Sequence, residues 1–230
     1  AVLLMTKLIR IAIDGPAGAG KSTIAKLLAQ KLDIIYLDTG AMYRAVALKC
    51  LENNIEIEDQ AAMINLLENT NLQVVFENNT QKIILDGIDV SNKIRTTKVS
   101  NTASRIATLP DVRKKLVDIQ REIAKESSVV MDGRDIGTHV LPNADVKIFL
   151  TASLEERANR RYIEYKATGE YKTLDDIMRE IEHRDRCDSM RTFAPLKKAE
   201  DAILVDTTGQ SIKQVTNIII GIVNDKVLGD

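Results

Sequence analysis

Three glycines, a lysine and two hydroxyls stand together near the start of the chain: Gly15-Pro16-Ala17-Gly18-Ala19-Gly20-Lys21-Ser22-Thr23. The spacing is a glycine, four free positions, then Gly-Lys-Ser, which is the phosphate-loop pattern. Glycines at 15, 18 and 20 let successive backbone N–H groups turn inward around an anion. Lys21 can reach the outer phosphates of a nucleoside triphosphate, and the Ser22 hydroxyl can hold Mg²⁺. The chemistry needs a strand before the loop and a helix after it. Leu8–Asp14 is an apolar run that reads as a buried strand, and Thr23–Leu32 reads as a helix with no glycine or proline. The helix N-terminus adds partial positive charge at the loop. A dinucleotide fingerprint, G-x-G-x-x-G, cannot be drawn here.

Further charged residues fall where strands end or helices begin. Ile34–Asp38 reads as a second strand, closed by Asp38-Thr39-Gly40, and the helix from about Ala41 to Glu52 carries Arg44 in its first turn. A cation there opposes the helix dipole and points to a nearby anion. Val129-Val-Met-Asp132-Gly133-Arg134-Asp135 is a strand running into carboxylates and an arginine. In open parallel sheets ligands sit beyond such strand ends. Arg157, Arg160 and Arg161 are spaced i, i+3 and i+4 on one expected helix. They suit either a solvated face paired with Glu155, Glu156 and Glu164 or a clamp on a phosphoryl group, and beside a phosphate loop the clamp is the expectation. Arg184, Asp188 and Arg191 share a face if the helix from about Leu174 to Cys187 continues.

The elements that must position these residues alternate strand and helix, the pattern of an α/β fold with a parallel sheet. At 230 residues the chain can bury one core with a small inserted unit. The expected organisation is a single domain over 1–230. Its core spans about 8–69, 96–150 and 200–230, and a lid covers about 153–172. The insert shows as a change of texture: Leu72–Phe76, Lys82–Leu85 and Gly87–Val90 are short, β-branched and separated by turns. They predict a small antiparallel sheet over about 70–95. Helices are expected over 59–69, 97–108 and 110–125, with strands at Val146–Leu150 and Ala202–Asp206 and a closing helix from Ser211. The net charge of −1 argues against a polyanionic partner such as duplex DNA. Cys50 and Cys187 give no metal or disulfide framework, which fits a reducing cytoplasm. No stretch is long and apolar enough for a bilayer, and residues 1–7 carry no basic leader, so neither a membrane nor a signal peptide is expected. A balanced surface makes a monomer the expectation.

Taken together, the chain resembles bacterial cytidylate (CMP) kinase over nearly all of residues 8–225. The matching stretches are Ile13–Thr23, Leu37-Asp-Thr-Gly-Ala-Met-Tyr-Arg44, Asp132-Gly-Arg-Asp-Ile-Gly137 and Arg184–Leu196. The phosphate loop is shared by many NTPases; its combination with the second and third stretches is far more specific. The resemblance implies a P-loop fold: a five-stranded parallel sheet with helices on both faces, a small antiparallel β insert that binds the monophosphate, and a helical lid. It implies that Ser104, Arg113 and Asp135 read cytosine, that Arg184 and Asp188 hold the ribose, and that Arg44, Arg134 and Arg191 grip the monophosphate. Asp38 and Thr39 complete the expected CMP set.

The reaction this implies is ATP and CMP, or dCMP, giving ADP and the diphosphate, with Mg²⁺. The acceptor is a phosphate oxygen already ionised at neutral pH, since the second pKa of a phosphomonoester is about 6. No general base is needed, which suits a chain with only His139 and His183. Catalysis reduces to alignment and charge stabilisation by Lys21, the loop and the lid arginines Arg157, Arg160 and Arg161. A carboxylate at Asp135 can accept from the exocyclic amine of cytosine, where uracil presents an oxygen. Dephospho-CoA and shikimate kinases share the loop, but the inserted hairpins and the Asp132–Asp135 stretch argue against them. A GTPase switch requires Asn-Lys-x-Asp; the nearest string, Asn92–Arg95, lacks the aspartate.

Overall fold

The structure is a computed structural model that describes residues 7–227 apart from 79 and 168. Residues 1–6 and single positions inside the expected insert and lid fall outside the described residues. The chain divides into two compact units: one built from the residues up to Ile34 and from Ser128 onward, the other from Ile35–Ser127.

The expected five-stranded parallel sheet is present. The first unit supplies four of its strands: β1 (Arg10–Asp14), β6 (Val129–Gly133), β7 (Val146–Thr151) and β8 (Ile203–Asp206), in the spatial order β6-β1-β7-β8. Arg10 pairs with Val129, Ile11 with Val146 and Ile148 with Ile203, all parallel. The strands are continuous apolar runs because both faces are covered. Ile11, Ala12, Ile13, Val129, Val130 and Met131 are fully buried. Helices α1 (Lys21–Leu32) and α8 (Ile212–Val227) contribute Ile24, Leu28, Val215, Ile219 and Val223 to this core. Helices α6 (Leu154–Ala167) and α7 (Leu174–Ser189) form a hairpin with a small core of its own: Ala158, Tyr165, Ile177 and Ile181, flanked by Leu154 and Met178.

The second unit opens with the fifth strand, β2 (Ile35–Asp38), followed by α2 (Thr39–Glu52) and α3 (Gln60–Glu68). Asp38 caps α2 by accepting from the Ala41 N–H, so the helix starts two residues before the expected Ala41. The expected insert is a three-stranded antiparallel sheet of β3 (Leu72–Glu77), β4 (Thr80–Leu85) and β5 (Ile88–Asp89). Then come α4 (Thr97–Ile106) and α5 (Pro110–Glu126), with Pro110 in the first turn of α5, where its missing N–H costs nothing.

Two local features differ from the sequence reading. After β6 the chain makes one wide π-type turn over Ile136–Val140, closed by hydrogen bonds from Val140 N to Asp135 O and from Leu141 N to Ile136 O. Helix α7 stops at Ser189, with Met190 at its C-cap, so Arg191 does not continue the helical face. It reaches Asp188 from the turn beyond.

Candidate active site

The phosphate loop lies against the end of β7. At Gly15 (φ 149°) an added Cβ would sit 1.9 Å from the Leu150 carbonyl oxygen, so only glycine allows the loop to leave β1 along this path. Gly20 is left-handed at the N-cap of α1 (φ 86°). Lys21 is the first residue of that helix and is buried, with its Nζ donating to Pro16 O at 2.6 Å. Burial, and next the charge of Arg134, push its ammonium well below the usual lysine range; Arg184 adds to this, while Asp132 and Asp14 oppose it. Ser22 and Thr23 are exposed at the helix start.

Asp14 was read only as the end of a strand, yet it is one of the most constrained groups in the unit. Its buried carboxylate accepts from Ile136 N at 2.8 Å and Gly137 N at 2.7 Å. It thereby fixes the wide turn directly after Asp135. Desolvation, working against these two N–H groups, raises the Asp14 carboxyl from 3.8 to about 7. Asp132 and Asp135 are both buried at this end of β6.

Asp188 brings together Arg134 and Arg191, two of the three arginines expected at the monophosphate. Arg134 Nε donates to Asp188 Oδ2 at 2.7 Å, and Arg191 donates to Asp188 Oδ1. Burial alone would raise the Asp188 carboxyl, but the charges of Arg134 and Arg191, joined by Arg184, outweigh it and hold the group below the usual range. Arg134, Arg184 and Asp132 all act on Lys21, so these side chains share one field.

The three α6 arginines do not form one face with one role. Arg157 is buried: Nε donates to Ala152 O, and Nη1 donates to both Ala17 O and Asp185 Oδ2. Arg160 pairs with Glu156 and donates to the Thr207 hydroxyl and carbonyl. Arg161 pairs with Glu164 and lies over the Tyr165 ring, 5.1 Å from its centroid. Thr207 has no role in the sequence reading, and Asp185 enters it only inside the matching Arg184–Leu196 stretch, with no role assigned. The i, i+3, i+4 spacing gave no hint of either, since both partners come from distant segments. Asp185 stood beside the singled-out Arg184, and that adjacency was the available signal.

In the second unit, Arg44 Nη2 donates to Asp38 Oδ2 at 2.8 Å, one turn into α2. Thr39 is buried at the helix start. Arg113 is almost fully buried on α5, donating to Ala107 O and lying 5.7 Å from the Tyr43 ring centroid. Ser104 is half-buried on α4 and donates to Ser100 O. Tyr43 and Gln81 join this set only in the folded unit.

The family model for cytidylate kinase matches residues 11–225. The chain belongs to the cytidylate kinase family. A cytidylate kinase of Alkaliphilus oremlandii is 53% identical over 214 residues, covering 93% of this chain and 97% of that protein. One of Carboxydothermus hydrogenoformans is 52% identical over 217 residues, covering 94% and 98%. Among solved structures, an uncharacterized protein from Eubacterium ventriosum superposes with a TM-score of 0.55 at 14% identity, covering 95% of this chain and 99% of that one; this likeness concerns the fold alone. The cytidylate kinase family is one of phosphotransferases, so the phosphate loop and the arginine set belong to an enzyme. Among the described residues no three His, Cys, Asp or Glu side chains form a metal cluster. Among them, too, no helix is long and apolar enough to cross a membrane.

Proposed function

We propose that the protein transfers the γ-phosphoryl group of ATP to CMP or dCMP, giving ADP and the corresponding diphosphate. The observation that carries this reading is the phosphate loop with Lys21 buried at the start of α1, in the same unit as the arginines Arg134 and Arg191 gathered on the one carboxylate of Asp188. Two phosphorylated ligands brought together need such a surplus of fixed cations to offset their mutual repulsion. Residues 15–23 and Lys21 hold the donor phosphates, through backbone N–H groups other than those of Pro16, which has none, and Ala17, which donates to Asp185. Arg134 and Arg191, braced by Asp188, grip the acceptor phosphate, with Arg184 and Asp188 at the ribose. On the second unit Asp38, Thr39 and Arg44 serve the acceptor phosphate, and Ser104 and Arg113 serve the base; on the first unit Asp135 is the residue given to the base. Ser22 is the residue that would hold Mg²⁺, which supplies charge neutralisation between the β- and γ-phosphates when bound.

The acceptor oxygen attacks without a general base, because it is ionised at neutral pH. Protein groups therefore align the two phosphates and keep water out of the path. Arg160 and Arg161 on α6 are the candidates to meet the migrating group; both have side chains partly open to solvent. Such a reaction belongs in the cytoplasm, where both nucleotides occur. The test is ADP release measured with CMP, dCMP, UMP, GMP, shikimate and dephospho-CoA as acceptors. Turnover is expected with CMP and dCMP. Faster turnover with shikimate or dephospho-CoA, or ADP release independent of any acceptor, overturns the reading.

A further inference from the structure

The Ala17 peptide of the phosphate loop is gripped at both of its polar groups. Its N–H donates to Asp185 Oδ1 at 3.0 Å, and its carbonyl accepts from Arg157 Nη1 at 3.0 Å. Arg157 and Asp185 close the clip with their own ion pair, Nη1 to Oδ2 at 2.5 Å. Both side chains are largely shielded from solvent, so the pair is not a screened surface contact. The clip also fits tightly: a Cβ at Gly18 would meet the Arg157 Cβ at 3.1 Å and the Arg157 carbonyl oxygen at 3.3 Å. A carboxylate beside a loop built for phosphate would repel its ligand. Arg157 offsets that charge and leaves Asp185 able to accept from the loop.

Asp185 lies on α7 between Arg184 and Asp188. We infer that Asp185 is a positioning residue that ties the phosphate loop to helix α7, so that acceptor nucleotide held by Arg184 and Asp188 tightens the binding of ATP, with Arg157 serving the clip rather than the migrating phosphoryl group. The inference rests on the kinase reading above. Its physical basis is that α6 and α7 share a small core and that the clip joins this hairpin to the loop through hydrogen bonds from both helices. Helix α7 can settle against an acceptor only with the loop following. One ligand then spares the other part of the ordering cost.

The experiment measures the dissociation constant of a non-hydrolysable ATP analogue with and without saturating CMP, in the full chain and in the variants Asp185→Ala, Asp185→Asn and Arg157→Ala. Thermal melts confirm folding. The full chain is expected to bind the analogue several-fold more tightly with CMP present. In Asp185→Ala the affinity for the analogue falls by about 10- to 100-fold, the range for a lost hydrogen bond to a charged group, and the gain from CMP disappears. CMP binding alone stays within about threefold of the full chain. Asp185→Asn keeps an acceptor for the Ala17 N–H and recovers part of the analogue affinity. A CMP-dependent gain that survives in Asp185→Ala overturns the inference, as does the absence of any gain in the full chain. If the chain binds ATP but phosphorylates an acceptor other than CMP, the reading of CMP as acceptor falls, and the loss of analogue affinity in Asp185→Ala still reports on the clip.

Discussion

Gln81 holds Asp38 at both sides of its backbone: Gln81 Oε1 accepts from the Asp38 N–H at 2.7 Å, and Gln81 Nε2 donates to the Asp38 carbonyl at 3.2 Å. The β insert is thereby fastened to the residue that caps α2 and holds Arg44. Gln81→Ala removes both bonds, which costs about 1–2 kcal/mol of stability. It loosens Arg44 as well. The expected outcome is a several-fold rise in KM for CMP with little change in KM for ATP, measured by steady-state kinetics. An equal rise in both would refute this specific role.

Asp188 neutralises two arginines at once. Asp188→Ala leaves Arg134 and Arg191 without their shared counter-charge in a shielded place, a change that costs about 3–5 kcal/mol. Urea denaturation should show a much lower midpoint. Asp188→Asn, which retains an acceptor, should fall between the two. A midpoint unchanged in Asp188→Ala would mean that the arginines find other partners.

The raised Asp14 carboxyl gives a pH dependence of stability. Between about pH 4 and pH 7 the folded state keeps a proton that the unfolded chain releases, because the group moves from 3.8 to about 7 on folding. Its contribution is therefore complete below about pH 4 and is lost as pH rises through about 7. Urea midpoints at pH 5.5 and pH 8 should differ more in the natural chain than in Asp14→Asn, where this titration is absent. Identical pH slopes would show that Asp14 is ionised throughout.

Gly15→Ala places a methyl group into the Leu150 carbonyl. The loop must move by an ångström or more, and a shift of that size in an aligned site costs about 10²-fold in rate. Activity should fall by that order while the far-UV spectrum stays native. Near-normal kcat would mean that β7 yields to the methyl group.

Asp135 carries the expected choice of base. Asp135→Ala should bring kcat/KM for CMP and UMP close together, since the acceptor for the cytosine amine is gone. A preference for CMP kept at its original ratio removes Asp135 from this role.

The sequence by itself determined the loop, the parallel sheet and the β insert. Each is a local signal: glycines at fixed offsets, unbroken apolar strands, and short β-branched runs between turns. The strand end also pointed to Arg134, and the resemblance of the Arg184–Leu196 stretch pointed to Arg184, Asp188 and Arg191. Only the tertiary structure decided what those charges do to one another. Arg157, Arg160 and Arg161 share a helical spacing yet go to Asp185, Thr207 and Glu164 respectively, because partners 28 and 47 residues away compete with helix neighbours. The standing of Asp14 was equally hidden: a carboxylate at a strand end is ordinary until the fold buries it and brings the Ile136 and Gly137 amides onto it. Periodicity encodes which side of an element is covered, whereas the partner of a buried charge is set by long-range packing that no local pattern records.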